Sequence, residues 1–448
     1  MPPSFPEKLI QEIWQGALQR RKDLVTAAGG PVEVIYPGRR NDDRGADFRD
    51  AVIATGQGLL KGDIEIHTLS SSWWAHRHHL DPTYNRVVLH VVFWDDAGRA
   101  AELANGFTVP TLALHGYYAT AEIKSPALTV SPFMPCRRTR PGLKTITGLL
   151  DAAGLARFQS QADTFRETLA RYGPAQSLYA GIMTALGYSK NKEPMAELAA
   201  CLPLAGLTAA TPAGMPESEC LALYQGLLIG AAGLLPSQRG GRFSGRPADA
   251  WENTLENAWA SYGEAPALSP GDWRFFKVRP GNHPVRRLAA MSRLLLRYRR
   301  QGLLDGLREV LREAAADKNT RCLELSLAVE ADSFWGCYLD FGVEAVNAAP
   351  ALLGRERAAE ISVNVILPFA AAGGFSGAPP DLPWQAREIY SACPAPAENA
   401  LVKHMRQQLG IGRAAATARR QQGLIHLYKT RCSQGKCPGC PLGGEKGD

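Results

Sequence analysis

The segment Lys61-Gly62-Asp63-Ile64-Glu65-Ile66-His67 constrains the chain more than any other, because it reads as a strand whose two faces need different surroundings. Side chains alternate across a strand, so Asp63, Glu65 and His67 point one way while Ile64 and Ile66 point the other, into an apolar layer. A face with two carboxylates and an imidazole has to meet water, a counter-charge or a cation. Residues 48–55 form a second strand-like run, and Gly56-Gln57-Gly58 makes a turn that folds it back onto residues 59–68 as a hairpin. Asp47 comes just before that run, so the pairing brings it close to Glu65. Two hard carboxylates around one cavity suit Mg²⁺ or Mn²⁺, which would activate a water and neutralise charge building on a phosphate. A hairpin whose polar face is merely solvated is the plain alternative.

The surroundings favour the cation. Residues 7–19 read as a helix with Leu9, Ile10, Ile13, Trp14 and Leu18 on one stripe, and residues 32–36 as a short strand ended by Pro37-Gly38. Residues 70–85 are a polar, aromatic helix or loop, and residues 87–94 a nearly continuous apolar run of the kind a buried strand shows. The predicted order is α-β-β-β-α-β.

That order with those acids resembles the core of the PD-(D/E)XK nuclease superfamily, in which an Asp starts one strand and an acid, any residue and a Lys occupy the next. The resemblance implies an α/β, restriction-endonuclease-like core with a mixed sheet, hydrolysing phosphodiester bonds of nucleic acid, DNA above all, with Mg or Mn as cofactor. It implies Asp47 and Glu65 as metal ligands, the carbonyl of Ile66 as a third, and Glu7 on the first helix as a further catalytic acid, with Glu12 as the alternative. Two positions depart from the pattern: Ala46 stands where the superfamily has Pro, and His67 where it has Lys. A Lys is a permanent cation, whereas a His near neutrality acts as general base or as a further ligand. An imidazole ligand shifts metal preference toward Mn²⁺ or Zn²⁺. The longer string from Gly62 through Ser72-Trp73, His76-Arg77-His78, Asp81 and Tyr84-Asn85 to Leu89-His90-Val91-Val92 is similar to an uncharacterised bacterial family, domain of unknown function family 2851. That similarity runs from the first helix to the terminal cysteines and implies no activity.

Six of the nine histidines fall between His67 and His115, namely His67, His76, His78, His79, His90 and His115, and they are expected to converge. His90, on the inward strand, is a candidate metal ligand. His76 and His79 share a face if their segment is helical, and His76 and His78 are candidate contacts to a nucleic-acid phosphate. A lid of Trp73, Trp74 and hydrogen-bonded histidines is the rival reading. The chain lacks the His-x-Glu element of zinc deaminases and the His-Glu-x-x-His of metalloproteases, which argues against both.

Near the end, Cys432, Cys437 and Cys440 lie in a Gly- and Pro-rich turn with metal-ligand spacing, and Cys393 is the nearest fourth thiol. The set suits zinc or an iron-sulfur cluster, with dithiol redox chemistry at Cys437 and Cys440 as the competitor. Nine cysteines with no signal peptide fit a reduced cytoplasm. Cys136, Cys201, Cys220, Cys322 and Cys337 are expected to fill cores.

The chain has 50 Lys and Arg against 43 Asp and Glu, and its net charge of +7 sits in the last 48 residues. A second basic stretch runs from Arg274 to Arg300 without one acid, interleaved with Trp273, Phe275, Phe276 and Tyr298. Its Lys277, Arg279, Arg286 and Arg287, with Asn282, form a candidate nucleic-acid surface; pairing with the acids of residues 303–313 is the alternative. From residue 145 to 372 apolar residues recur at three- and four-residue spacing, which predicts a helical bundle. No purely apolar run is long enough to span a bilayer. The expected division is an α/β nuclease-like core over residues 1–135, an all-α domain over 136–375, and a basic, cysteine-bearing segment over 376–448.

Overall fold

The computed structural model describes residues 6–16, 18, 21, 23–118, 142–242, 249–276, 278–317, 320–331, 333–347, 349–412, 416–437 and 439–442. The expected boundary at 135, Cys136 and Lys277 lie outside the described residues. The chain forms two compact units: Met1–Gly154 with Glu398–Ala415 and Arg420–Asp448, and Leu155–Ala397 with Ala416–Arg419.

The first unit opens with helix α1 (Glu7–Gly16), followed by β1 (Val32–Tyr36), the two-residue β2 (Arg39–Arg40), β3 (Phe48–Thr55) and β4 (Gly58–Leu69). After the short helix α2 (Ser72–Ala75) come β5 (Val87–Trp94), a separate ladder of β6 (Ala101–Glu102) and β7 (Thr108–Val109), and β8 (Thr111–Ala113). The main sheet runs β1-β3-β4-β5-β8, with β2 paired on β3. β1, β3 and β4 are antiparallel, and β4, β5 and β8 are parallel. The mixed sheet is the one expected, and the expected α-β-β-β-α-β order holds apart from the added two-residue β2. Thr55 pairs with Gly58, so the hairpin closes where the Gly-rich turn stands.

Alternation along β4 separates two layers. Ile64 and Ile66 are buried with Leu89, Val91 and Phe93 of β5 and with Ile10, Ile13 and Trp14 of α1; each buried Ile contributes about 1.5–3 kcal/mol. The side bearing Glu65 and His67 is buried as well, beside a smaller cluster of Trp73, Ala101, Leu103 and Val109. Gly62 permits the close approach of β4 to β5: a Cβ there would lie 2.4 Å from the Arg86 carbonyl oxygen and 2.3 Å from Val88 Cγ1.

The third part expected from the sequence is not a separate body. The helix Ala400–Leu409 and residues 420–430 pack Val402, Met405, Leu409, Leu424 and Tyr428 onto Tyr36 of β1 and Val52 of β3, together with Leu150 of the helix Leu143–Tyr172. The apolar residues of the tail thus complete the first unit. The Gly- and Pro-rich stretch near residue 376 is likewise no boundary, because Phe375 and Leu382 on either side of it are buried in the core of the second unit.

The second unit is helical, as its spacing predicts, with one addition: a two-stranded ladder of β9 (Tyr338–Asp340) and β10 (Val343–Glu344). At its centre lie the helices Glu217–Ala231 and Pro284–Arg297. The segment Glu217–Gly240 is long and apolar enough to cross a membrane by length and composition, and its most apolar window is 83% buried inside the protein.

Candidate metal centre

Phe48 pairs with Ile64 across β3 and β4, which brings Asp47 and Glu65 together as expected. The Asp47 amide donates to Glu65 Oε2 (3.1 Å), and the Ile66 amide donates to Asp47 Oδ2 (3.0 Å). Gln11 of α1 donates through Nε2 to Asp47 Oδ1 (2.8 Å), and its own oxygen accepts from Arg40 Nη2 (2.5 Å). The helix residue that touches the pair is therefore Gln11. Glu7 is exposed in the first turn and acts through its charge alone. Burial, then the Glu65 charge, pushes Asp47 up to about 7 against the Ile66 amide, which lowers it. Burial pushes Glu65 up to about 8, with Glu7 adding to the shift and the Asp47 amide opposing it. Two carboxylates facing each other, Glu65 buried and Asp47 half-buried, are pushed toward their neutral forms unless a positive charge joins them.

Asp63 belongs to a different structure. Its Oδ1 accepts from the Asp50 amide (3.1 Å) and lies 3.7 Å from Arg86 Nη2. Asp50 has φ +59° at an irregularity in the β3–β4 register. Asp63 secures that bulge.

The histidines are arranged by one backbone feature. Helix α2 ends at Ala75 with His76 as its cap, Arg77 adopts a left-handed conformation (φ 59°), and the chain resumes as a 3-10 turn over His78–Leu80. The helical spacing that would join His76 to His79 is broken there. His78 is buried, while His79 stays half-buried. His67 Nε2 lies 3.1 Å from His76 Nδ1 and 3.4 Å from Glu65 Oε1, and His78 Nε2 lies 3.2 Å from the same oxygen. The ligand atoms of His67, His76 and His78 all fall within 4.8 Å of one another. Rings support them: His78 packs on Tyr84 with centroids 3.8 Å apart, and Trp73 sits 5.3 Å from His78 and 5.1 Å from His90.

His90, expected as a ligand, stands behind the cluster, with its Nε2 2.8 Å from His67 Nδ1. His115 stacks on Trp94 and pairs with the Phe93 carbonyl (3.2 Å), so it does not join the others. Burial, then the neighbouring imidazoles, lowers His67 to about 2 and His90 to about 3, and burial also lowers His78. These rings are neutral at physiological pH and keep a lone pair for a cation.

The cysteines do not assemble in the same way. Among the described residues, Cys432, Cys437 and Cys440 do not bring three ligand atoms within that 4.8 Å limit. Cys432 is buried and accepts from Gln408 Nε2 at 3.9 Å, while Cys437 and Cys440 are half-buried in one turn. Cys393 belongs to the second unit, where burial pushes its thiol up to about 12. Of the expected core fillers, Cys220 is buried, Cys322 is half-buried, and Cys201 and Cys337 are exposed.

The arginine surface is corrected further. Arg286 is 0% exposed and donates to the carbonyls of Trp335 (2.9 Å), Tyr338 and Pro350. Arg287 is buried too, donating to the Leu352 carbonyl (2.6 Å) and to Asn282 Oδ1. Neither is open to a phosphate. Arg297 and Arg299 also donate to backbone carbonyls, not to the acids of residues 303–313. Of the expected set, Arg279 is exposed and Asn282 is half-buried.

A family model described as "Protein of unknown function (DUF2851)" matches residues 7–398. The chain belongs to this family. No curated protein and no solved structure matches it. The matched range holds α1, the whole sheet and every residue of the carboxylate-histidine centre. The cysteines at 432, 437 and 440 lie beyond it.

Proposed function

We propose that the chain is a metal-dependent nuclease that hydrolyses phosphodiester bonds, of DNA by the superfamily it resembles. The observation that supports this most is the meeting of Asp47, at the start of β3, with Glu65, in the middle of β4, on a mixed sheet of α-β-β-β-α-β order. That resembles the restriction-endonuclease-like arrangement, with His67 in place of its Lys. The donors suit a divalent ion: Glu65 Oε1 faces two imidazole nitrogens, and the repulsion between Glu65 and Asp47 is relieved by a cation. A bound ion would supply an acidified water and a counter-charge for the phosphate.

The chain's own residues divide the remaining tasks. Glu65 and His67 hold the ion's side of the site. Asp47, clamped by Gln11 and the Ile66 amide, stands beside Glu65 as the candidate to take a proton from water. Arg77 is exposed between His76 and His78 and is placed by sequence to meet a phosphate. Arg279 remains a candidate contact on the other unit.

The test is cleavage of plasmid and linear DNA with and without divalent ions. Ion-dependent cleavage that Glu65→Gln and Asp47→Ala each lower by about 100-fold or more supports the reading. One observation favours a second reading, a nuclease fold that binds DNA without cutting it: Glu65 is 6% and His67 2% exposed, and the Lys is gone. Salt-sensitive DNA binding with no cleavage under any ion would select it.

A further inference from the structure

We infer that His67, His76 and His78 form a three-histidine site for a borderline transition ion of the Zn²⁺ class, with Glu65 beside His67 and His78 and with Asp47 and His90 standing one hydrogen bond behind it. The argument is geometric first. Ligands bonded at the ~2.0–2.1 Å usual for zinc to nitrogen or oxygen stand about 3.3–3.4 Å apart along the edges of a tetrahedron. An octahedron at the ~2.0–2.1 Å of Mg²⁺ has edges of about 2.9 Å. The edges given by the structure are 3.1 Å for His67–His76, 3.4 Å for His67–Glu65 and 3.2 Å for His78–Glu65. The two Glu65 edges lie closer to the tetrahedral value, and the His67–His76 edge falls between the two.

The donor chemistry agrees. Three imidazoles and one carboxylate are a set that zinc takes and that Mg²⁺, a hard ion preferring oxygen and water, does not. His78 Nε2 is buried and has no hydrogen-bond partner although Glu65 Oε1 is 3.2 Å away. Two ligands of a common ion meet in that way, close and without a shared proton. Asp47 is not a member of the three-histidine group; its oxygens accept from Gln11 Nε2 and the Ile66 amide. His90 faces the far nitrogen of His67, which leaves His67 Nε2 turned to the ion and fixes its tautomer, as supporting groups behind metal-bound histidines do. His76, the exposed member, opens the site to entering ions and exchangeable ligands.

This assignment rests on the hydrolase reading only for the purpose of the site, and uptake measured without substrate lets the two fail separately. The experiment uses the full chain with Cys437→Ser and Cys440→Ser, stripped with chelator and titrated with Co²⁺. One equivalent should bind with the strong visible bands of a tetrahedral centre and no near-ultraviolet thiolate band. Zn²⁺ should displace it, and Mg²⁺ in about a thousandfold excess should not. His76→Ala, at an exposed position, should weaken Zn²⁺ binding by about 100-fold or more, and His90→Gln by about 10–100-fold. A weak octahedral spectrum, displacement by Mg²⁺, or uptake indifferent to His76→Ala and His78→Ala would each overturn the assignment.

Discussion

In the helix Pro284–Arg297, Arg286 and Arg287 are buried with their donors on the oxygens of Trp335, Tyr338, Pro350, Leu352 and Asn282, whereas in the N-terminal sheet His67, His78 and His90 are buried beside one another and two carboxylates. Both regions are dense in nitrogen and both exclude water. The arginines find fixed acceptors and become part of the core. The imidazoles find only groups that also want a proton or a cation, and such a centre has a use for an ion. A buried polar group that is satisfied by backbone holds the fold together; one that is satisfied only by its own kind marks a site.

Removing a satisfied donor should cost the most. Arg286→Met leaves the buried Trp335 carbonyl and the part-buried Tyr338 and Pro350 bonds without their donor, so the helical unit should lose about 2–3 kcal/mol in urea unfolding while metal uptake is unchanged. An equal effect on metal uptake would break the distinction between the two regions.

His404 lies between the two cases, a half-buried ring held by the Tyr36 hydroxyl at 2.7 Å and by Gln408. Burial, with Arg39 adding, lowers it to about 4. Its folded pKa is below the unfolded value of about 6.5, so its contribution is fully present above pH 6.5 and is lost as pH falls toward 4. The wild type should therefore lose about 2–3 kcal/mol more than His404→Asn across that window; equal pH profiles would show that the ring titrates freely.

Gly423 sharpens the role of the tail. A Cβ there would sit 2.2 Å from the Leu150 carbonyl oxygen, so Gly423→Ala should cost about 1–3 kcal/mol by forcing the two segments apart. No loss in thermal unfolding would mean that the tail packs loosely. The smallest effect is expected at exposed Arg279: Arg279→Ala should leave stability within about 0.5 kcal/mol and, in DNA binding, reduce the slope against log salt by about 1. A slope unchanged by the substitution removes Arg279 from the interface.

The comparison also shows what the sequence carried. Alternation of Ile64 and Ile66 with Glu65 and His67 was enough to place β4 and its two layers, and the Gly56-Gln57 turn was enough to bring Asp47 to Glu65. Both depend on neighbours in the chain. His78 replaces His79 at the site because Arg77 is left-handed, a conformation that its own residue type does not announce. Gln11 was hidden on a helix whose acids drew attention, although it stands one turn after Glu7. Arg286 and Arg287 read as a basic patch because the carbonyls they serve lie about fifty to sixty-five residues away. The docking of the tail on Tyr36 and Val52 is equally non-local, so composition marked it as separate.

The most direct measurement is X-ray absorption at the zinc edge of the zinc-loaded chain carrying Cys437→Ser and Cys440→Ser. Four nitrogen or oxygen neighbours at ~2.0–2.1 Å, three of them with imidazole multiple-scattering, are what a centre of His67, His76, His78 and Glu65 gives. A six-coordinate shell, sulfur neighbours, or fewer than two imidazoles would contradict it.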